Sequence, residues 1–136
     1  SSMDLCPTIL DLLDQKEIKN IDSESFKKIL CTDEVNTIDK SFSEYDGTRL
    51  QLKQRVLWYK NLKYIFNGFD YDEFYDLESD PDEINNLINS EKHKKQRQMM
   101  VELYWKELKK NGDHSLYNLD NNPVMKILEF GPKKED

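Results

Sequence analysis

No stretch of this sequence approaches the run of about 18 apolar residues that a bilayer crossing needs. Its amino terminus also has no basic start followed by an apolar segment and a cleavage site. No membrane contact is expected, and the localisation reads no further than a soluble chain. Positive charge is short as well: 20 Lys and Arg against 27 Asp and Glu leave a net charge of −7. Nucleic acid is bound mainly by neutralising phosphates, so an acidic chain of this kind is not expected to take it. The small basic cluster of Lys92, Lys94, Lys95 and Arg97 reads as the solvated face of a helix.

Side chains that do chemistry are equally sparse. The two histidines, His93 and His114, have no Cys or His neighbour at zinc-like spacing. The two cysteines, Cys6 and Cys31, sit in apolar contexts and are expected to be reduced and buried. Ser43, Ser79 and Ser115 stand in no nucleophile-elbow motif. Carboxylates gather at Asp70, Asp72, Glu73, Asp76, Asp80, Asp82 and Glu83, but without calcium-loop spacing or a glycine at the bend. Loop and capping roles account for them, so neither a metal ligand nor a catalytic residue is expected within the chain.

What is present is clearest between Tyr59 and Leu87. Tyr59 to Phe66 is rich in aromatic and β-branched residues, and Asn67-Gly68 ends it in a turn. A second strand follows over Glu73–Leu77. Asp80, Pro81 and Glu83 then read as a capping box opening a helix at Asp80. Upstream, Gln51–Lys60 has Val56 and Trp58 on one face and Arg55, Leu57 and Tyr59 on the other, and Ser41–Asp46 has the weaker pattern of an edge strand stopped by Gly47. Connections this short force antiparallel neighbours, because a parallel crossover needs about a dozen residues.

Helices flank this sheet. Asp4–Leu13 forms a short one, with Asp4 as cap and Leu5, Ile9, Leu12 and Leu13 on one side. Ser23–Cys31 forms another, and Asp14–Asp22 and Thr32–Lys40 connect. A long helix runs from about Ser90 to Lys110 and stops at Asn111-Gly112. Its best stripe is Val101, Tyr104, Trp105 and Leu108, with Met99 and Leu103 facing nearly the opposite way. His114 to Asp136 alternates loosely at Val124, Ile127, Leu128 and Phe130, as an added strand or an extended wrap would, and disorder is expected from Pro132 onward. At 136 residues the chain fits one domain. The fold class is α+β: an antiparallel sheet of three to four strands over 41–77, helices over 80–111 packed on it, a helical lead-in over 1–31, and a tail over 112–136.

Lys63-Tyr64-Ile65, then Glu73-Phe74-Tyr75-Asp76-Leu77, then Asp80-Pro81-Asp82-Glu83, then Asn86-Leu87, agree in order and spacing with the KYI…ELYDL…DPxExxNL signature of the sulfatases. Met3 to Leu12 resembles the VDLxPTxLDL segment that precedes that family's carboxy-terminal subdomain, and Asp22-Ser23 with Phe26 to Leu30 matches the outline of its next segment. The chain therefore resembles the carboxy-terminal subdomain of a sulfatase, in the alkaline-phosphatase-like superfamily.

The resemblance implies a parent enzyme that hydrolyses sulfate esters through a hydrated formylglycine, with a calcium-like divalent ion polarising the sulfate. That machinery belongs to a large amino-terminal domain. The family makes its formylglycine from C-x-P-x-R or S-x-P-x-R, and neither the Cys6-Pro7-Thr8-Ile9 segment nor Cys31-Thr32-Asp33-Glu34 has this form. The expectation is a non-catalytic part, inactive alone and without its own cofactor. The alternatives are a free-standing acidic interaction module of the same fold, or part of a related phosphonate or phosphate ester hydrolase. Arg55, Lys60, Phe69 and Tyr71 are the residues expected to border substrate, as cations for a sulfated anion and rings for a sugar. The expected partners are the catalytic domain or, in its absence, a second copy meeting Leu5, Ile9, Leu12, Leu13, Met99 and Leu103.

Overall fold

The computed structural model describes residues 2–19, 21–32, 39–47, 53–68 and 70–113, so Phe69 and the tail from His114 lie outside the described residues. The chain divides into two compact units, Ser1–Thr37 and Ile38–Asp136. The second holds a four-stranded antiparallel sheet in the order β1 (Lys40–Tyr45), β2 (Gln54–Tyr59), β3 (Leu62–Asn67) and β4 (Glu73–Asp76). Only Lys60 and Asn61 join β2 to β3, which demands a left-handed residue, and Lys60 takes that conformation at φ 54°.

Because side chains alternate across a strand, the row Phe42, Leu57, Tyr64 and Phe74 lies on one face of the sheet. Against that face packs the helix Lys94–Asn111, the third in chain order and so α3. Leu57, Phe74, Met100, Tyr104 and Leu108 are fully buried there. Tyr104 is the hub, its ring centroid 5.4 Å from that of Tyr64 in an edge contact, 5.7 Å from Phe66 and 6.0 Å from Phe42. The buried line of α3 is Arg97, Met100, Tyr104, Glu107 and Leu108. Val101, Trp105 and Leu103 flank it. The expected stripe is therefore rotated, and Leu103 does not face away from the core as the sequence predicts. The reason is that Arg97 and Glu107 lay their stems in the interface and satisfy their heads, Arg97 on the Ile88 carbonyl and Glu107 on Lys40 Nζ at 2.5 Å. A count of apolar residues misses both. Met99 does face outward. Gly112 closes the helix in the left-handed region at φ 65°, as Asn111-Gly112 predicts.

The helix predicted to open at Asp80 does not form. The Asp80 carboxylate accepts from the amides of Ile84 at 3.1 Å and Asn85 at 2.8 Å, holding 80–85 as a closed loop. Glu83 sits at φ 55°, outside helical space, and gives its carboxylate to Lys63 Nζ at 2.5 Å instead of reaching back to complete a capping box. A non-local ion pair and the Asp80 loop together outcompete the local signal. After a 3-10 turn over Glu91–His93, α3 begins only at Lys94, and Ser90 Oγ meets His93 Nδ1 at 2.9 Å instead of capping an amide.

The first unit carries a 3-10 turn over Ser2–Asp4, α1 (Leu5–Leu12) and α2 (Lys27–Cys31). It is held by polar contacts. Thr8, only 2% exposed, donates to the Asp4 carbonyl at 2.6 Å and accepts from the Phe26 amide at 3.0 Å. Asp11 accepts from Ser25 Oγ at 2.7 Å. Asp4 receives the Glu24 amide at 3.2 Å and makes no cap bond to its own helix. These bonds tie up residues 24–26, so α2 is shorter than the expected Ser23–Cys31. Cys6 and Cys31 are free and exposed, correcting the buried placement that their apolar neighbours predict.

Candidate functional site

The most tightly built feature is the tip of the β3–β4 hairpin. Asp72, itself buried, accepts the Tyr64 hydroxyl at 2.6 Å and the Asn67 amide at 3.0 Å. Asn67 donates through Nδ2 to the Tyr71 carbonyl and to Glu73 Oε1, both at 2.9 Å, and accepts from Gln54 Nε2 at 2.7 Å. These bonds interlock Gln54, Tyr64, Asn67, Asp72 and Glu73 in one network. Burial raises the Asp72 carboxyl above its ordinary value even though both hydrogen bonds favour its charged form. Burial together with the Asp72 charge pushes the Tyr64 phenol well above its own. Beside them Tyr75 donates to Glu73 Oε2 at 2.6 Å, and burial and Glu73 raise its phenol to about 12. At the apex Tyr71 stands 85% exposed, its amide held by Asp70 Oδ1 at 2.8 Å.

Of the four residues expected to border substrate, the structure does not bring the described three together. Tyr71 lies at the β3–β4 tip, and Lys60 lies at the opposite end of β3 in the β2–β3 turn, its ammonium 5.5 Å from the Tyr59 ring centroid. Arg55 is 1% exposed, with its cation matched inside the fold. It donates from Nε to Asp113 Oδ2 at 2.8 Å, from Nη2 to Asp46 Oδ1 at 2.8 Å, and from Nη1 to the Tyr45 carbonyl at 3.0 Å. Phe69 lies outside the described residues. An anion meeting the surface would thus find Lys60 at one end, whereas Tyr71 is flanked by carboxylates and offers an uncharged ring.

The signature residues noted in the sequence turn out to be fasteners. Asn86 Oδ1 accepts from the amides of Phe74 at 3.1 Å and Ile88 at 3.0 Å, and its Nδ2 donates to the Asp72 carbonyl at 3.2 Å. Leu87 N donates to the Phe74 carbonyl at 2.8 Å, so the loop covers the open edge of β4. Asp76 Oδ1 accepts from Asn61 Nδ2 at 2.7 Å. Among the described residues no three His, Cys, Asp or Glu side chains converge as a metal ion requires. Sequence reasoning missed Asp72, Asn67 and Thr8 as organising groups. An Asx residue at a strand end with a second acid five positions on is a signal for the first two.

Residues 1–123 match a family model described as N-sulphoglucosamine sulphohydrolase, C-terminal. An uncharacterized protein of Haemophilus influenzae is 27% identical over 110 residues, covering 81% of this chain and 57% of that protein. Among solved structures, a 2-O GAG sulfatase superposes with a TM-score of 0.73 at 21% identity, over 94% of this chain and 29% of the other. A protein solved with its substrate D-glucosamine-2-N,6-O-disulfate gives 0.66 at 22%, over 89% and 25%. The phosphonate monoester hydrolase of Agrobacterium radiobacter gives 0.58 at 20%, over 82% and 24%. At such identities the likeness to these structures is one of fold, and the chain spans about a quarter of their length.

Proposed function

Since the chain belongs to the N-sulphoglucosamine sulphohydrolase C-terminal family, we propose that it is the carboxy-terminal, non-catalytic part of a sulfuric-ester hydrolase, supporting a catalytic domain and bordering its substrate cleft. The observation that carries a supporting role is the use of the signature residues: Asp76, Asp80 and Asn86 spend their polar atoms on fastening β4 and the loop after it. A sulfated glucosamine is the substrate class that fits the family description. In this reading Tyr71 offers its ring to an uncharged sugar face and Lys60 offers a cation to an anion.

The formylglycine and divalent ion of such an enzyme do not fit this chain's own residues. Neither cysteine stands in the precursor motif, and no described cluster can hold the ion. In this reading both belong to the partner domain. Purified alone and given calcium, the chain is expected to leave an aryl sulfate intact.

The reading frame upstream of Ser1 tests the proposal. It is expected to encode C-x-P-x-R or S-x-P-x-R, and the whole protein to release sulfate from a sulfated glucosamine. A frame with neither motif overturns the proposal in favour of a free-standing interaction module. Turnover of a phosphonate monoester with none of the sulfate ester would place the chain in the related hydrolases.

A further inference from the structure

The charges of α3 are sorted by depth. Arg97 and Glu107 are buried, whereas Lys94, Lys95, Lys106, Lys109 and Lys110 are exposed, as is Lys92 in the turn before the helix. Over Glu91–Asn111 the exposed acids are Glu91 and Glu102. With about 100° between successive residues, Lys95, Lys106 and Lys109 fall opposite the buried line through Met100 and Tyr104, and Lys95 stands roughly 21 Å from Lys109 along the axis. Lys109 and Lys110 lie at the carboxy-terminal end, where a helix favours cations. Lys94 and Lys95 lie in the first turn, where it disfavours them, with no acid in that turn and no side-chain cap. Lys94 meets Glu91 at 3.6 Å, but so exposed a pair contributes little. Stability does not account for these two lysines.

In a chain of net charge −7, a cationic helix face of this length suits an extended anion better than a single small one. We propose that the outer face of α3 binds a sulfated polysaccharide, its lysines meeting successive sulfate groups. The inference deepens the reading of the chain as part of a hydrolase of sulfated glucosamine, and rests on that reading for the identity of the anion. The face itself speaks against single-stranded nucleic acid, because no aromatic ring stands among the exposed residues of α3 for a base to stack on. Arg97, the one guanidinium of the helix, is turned inward to the Ile88 carbonyl, so the outer face offers ammonium groups alone.

Calorimetry of the full chain with heparin fragments at physiological salt tests this. The wild type is expected to bind them, more weakly as salt rises, and to ignore heparin stripped of its sulfates. Lys95→Glu, Lys106→Glu and Lys109→Glu combined are expected to weaken binding about tenfold or more. Lys16→Glu, Lys19→Glu and Lys28→Glu combined make the same change of charge in the first unit and should leave binding in place, with a cooperative melt showing that both variants fold. Lys95→Glu alone is expected to raise the melting temperature while weakening binding, since an acid suits the first turn of a helix. A wild type that ignores heparin overturns the proposal. So do equal losses in the two combined variants, and so does equal affinity for desulfated heparin or for duplex DNA. The frame upstream of Ser1 is read separately, so a chain that follows a C-x-P-x-R motif and yet ignores heparin sinks this inference alone.

Discussion

Tyr64 gives its hydroxyl hydrogen to the Asp72 carboxylate at 2.6 Å inside the hairpin, with the carboxylate almost shielded from water. Removing the donor leaves a buried charge one partner short. Tyr64→Phe is therefore expected to destabilise the fold by about 1 to 3 kcal/mol in denaturant titration.

The same carboxylate sets a pH dependence of definite sign. Burial lifts its folded pKa above 3.8, so the charged form weakens the fold. That cost is fully present above the raised value and is relieved as pH falls through it toward 3.8. Asp46 behaves oppositely. Arg55 and Lys53 hold it below 3.8, so its contribution is present above 3.8 and lost as pH falls through the lowered value. Asp72→Asn removes only the first effect. The unfolding free energy of wild type minus that of Asp72→Asn is expected to rise as the pH approaches 3.8 from above, and a flat or falling difference would contradict the role of burial.

Arg55 is expected to act in stability. Its guanidinium joins Asp46, Asp113 and the Tyr45 carbonyl from a site 1% exposed. Replacement by Met leaves the partly buried Asp113 without this cation and removes a buried hub of hydrogen bonds, and is expected to cost about 3 kcal/mol. Arg55→Lys should recover little of that, because an ammonium lacks the planar fork that reaches Asp46, Asp113 and the Tyr45 and Gln54 carbonyls at once. In the whole enzyme, a selective rise in KM for Arg55→Lys at unchanged stability would instead place the residue at the substrate.

Asp80→Ala removes the acceptor for two amides and is expected to cost about 0.5 to 2 kcal/mol, as loss of a cap does. Calcium should leave the melting temperature of wild type and variant alike. A rise confined to the wild type would make Asp80 a ligand.

The first unit leaves Leu5, Ile9, Leu12 and Leu13 between 43% and 63% exposed, with only Thr8 buried in its first helix. Burying one leucine is worth roughly 1.5 to 3 kcal/mol. Sedimentation of the isolated chain is expected to show a dimer or larger species at micromolar concentration, and Leu5→Glu with Ile9→Glu to shift it toward monomer. A wild-type monomer would show that these side chains tolerate water.

The sheet was legible because its signals are short-range. Alternation over Gln54–Tyr59 and Leu62–Asn67, with connections too brief for a crossover, leaves antiparallel pairing as the outcome. Gly112 likewise stops α3 by its own backbone freedom. Tertiary contacts decided what local chemistry leaves undecided. Lys63, 20 positions away, draws Glu83 out of a capping box, and Asp80 closes a loop instead of starting a helix. Arg97 and Glu107 turn α3 by burying charged side chains whose partners lie elsewhere in the chain, and Arg55 is tied inside the fold through Asp113, 58 residues on. Residue type and spacing fix backbone preference over a few positions, whereas the fate of a charge depends on which opposite charge the fold brings within about 3 Å of it.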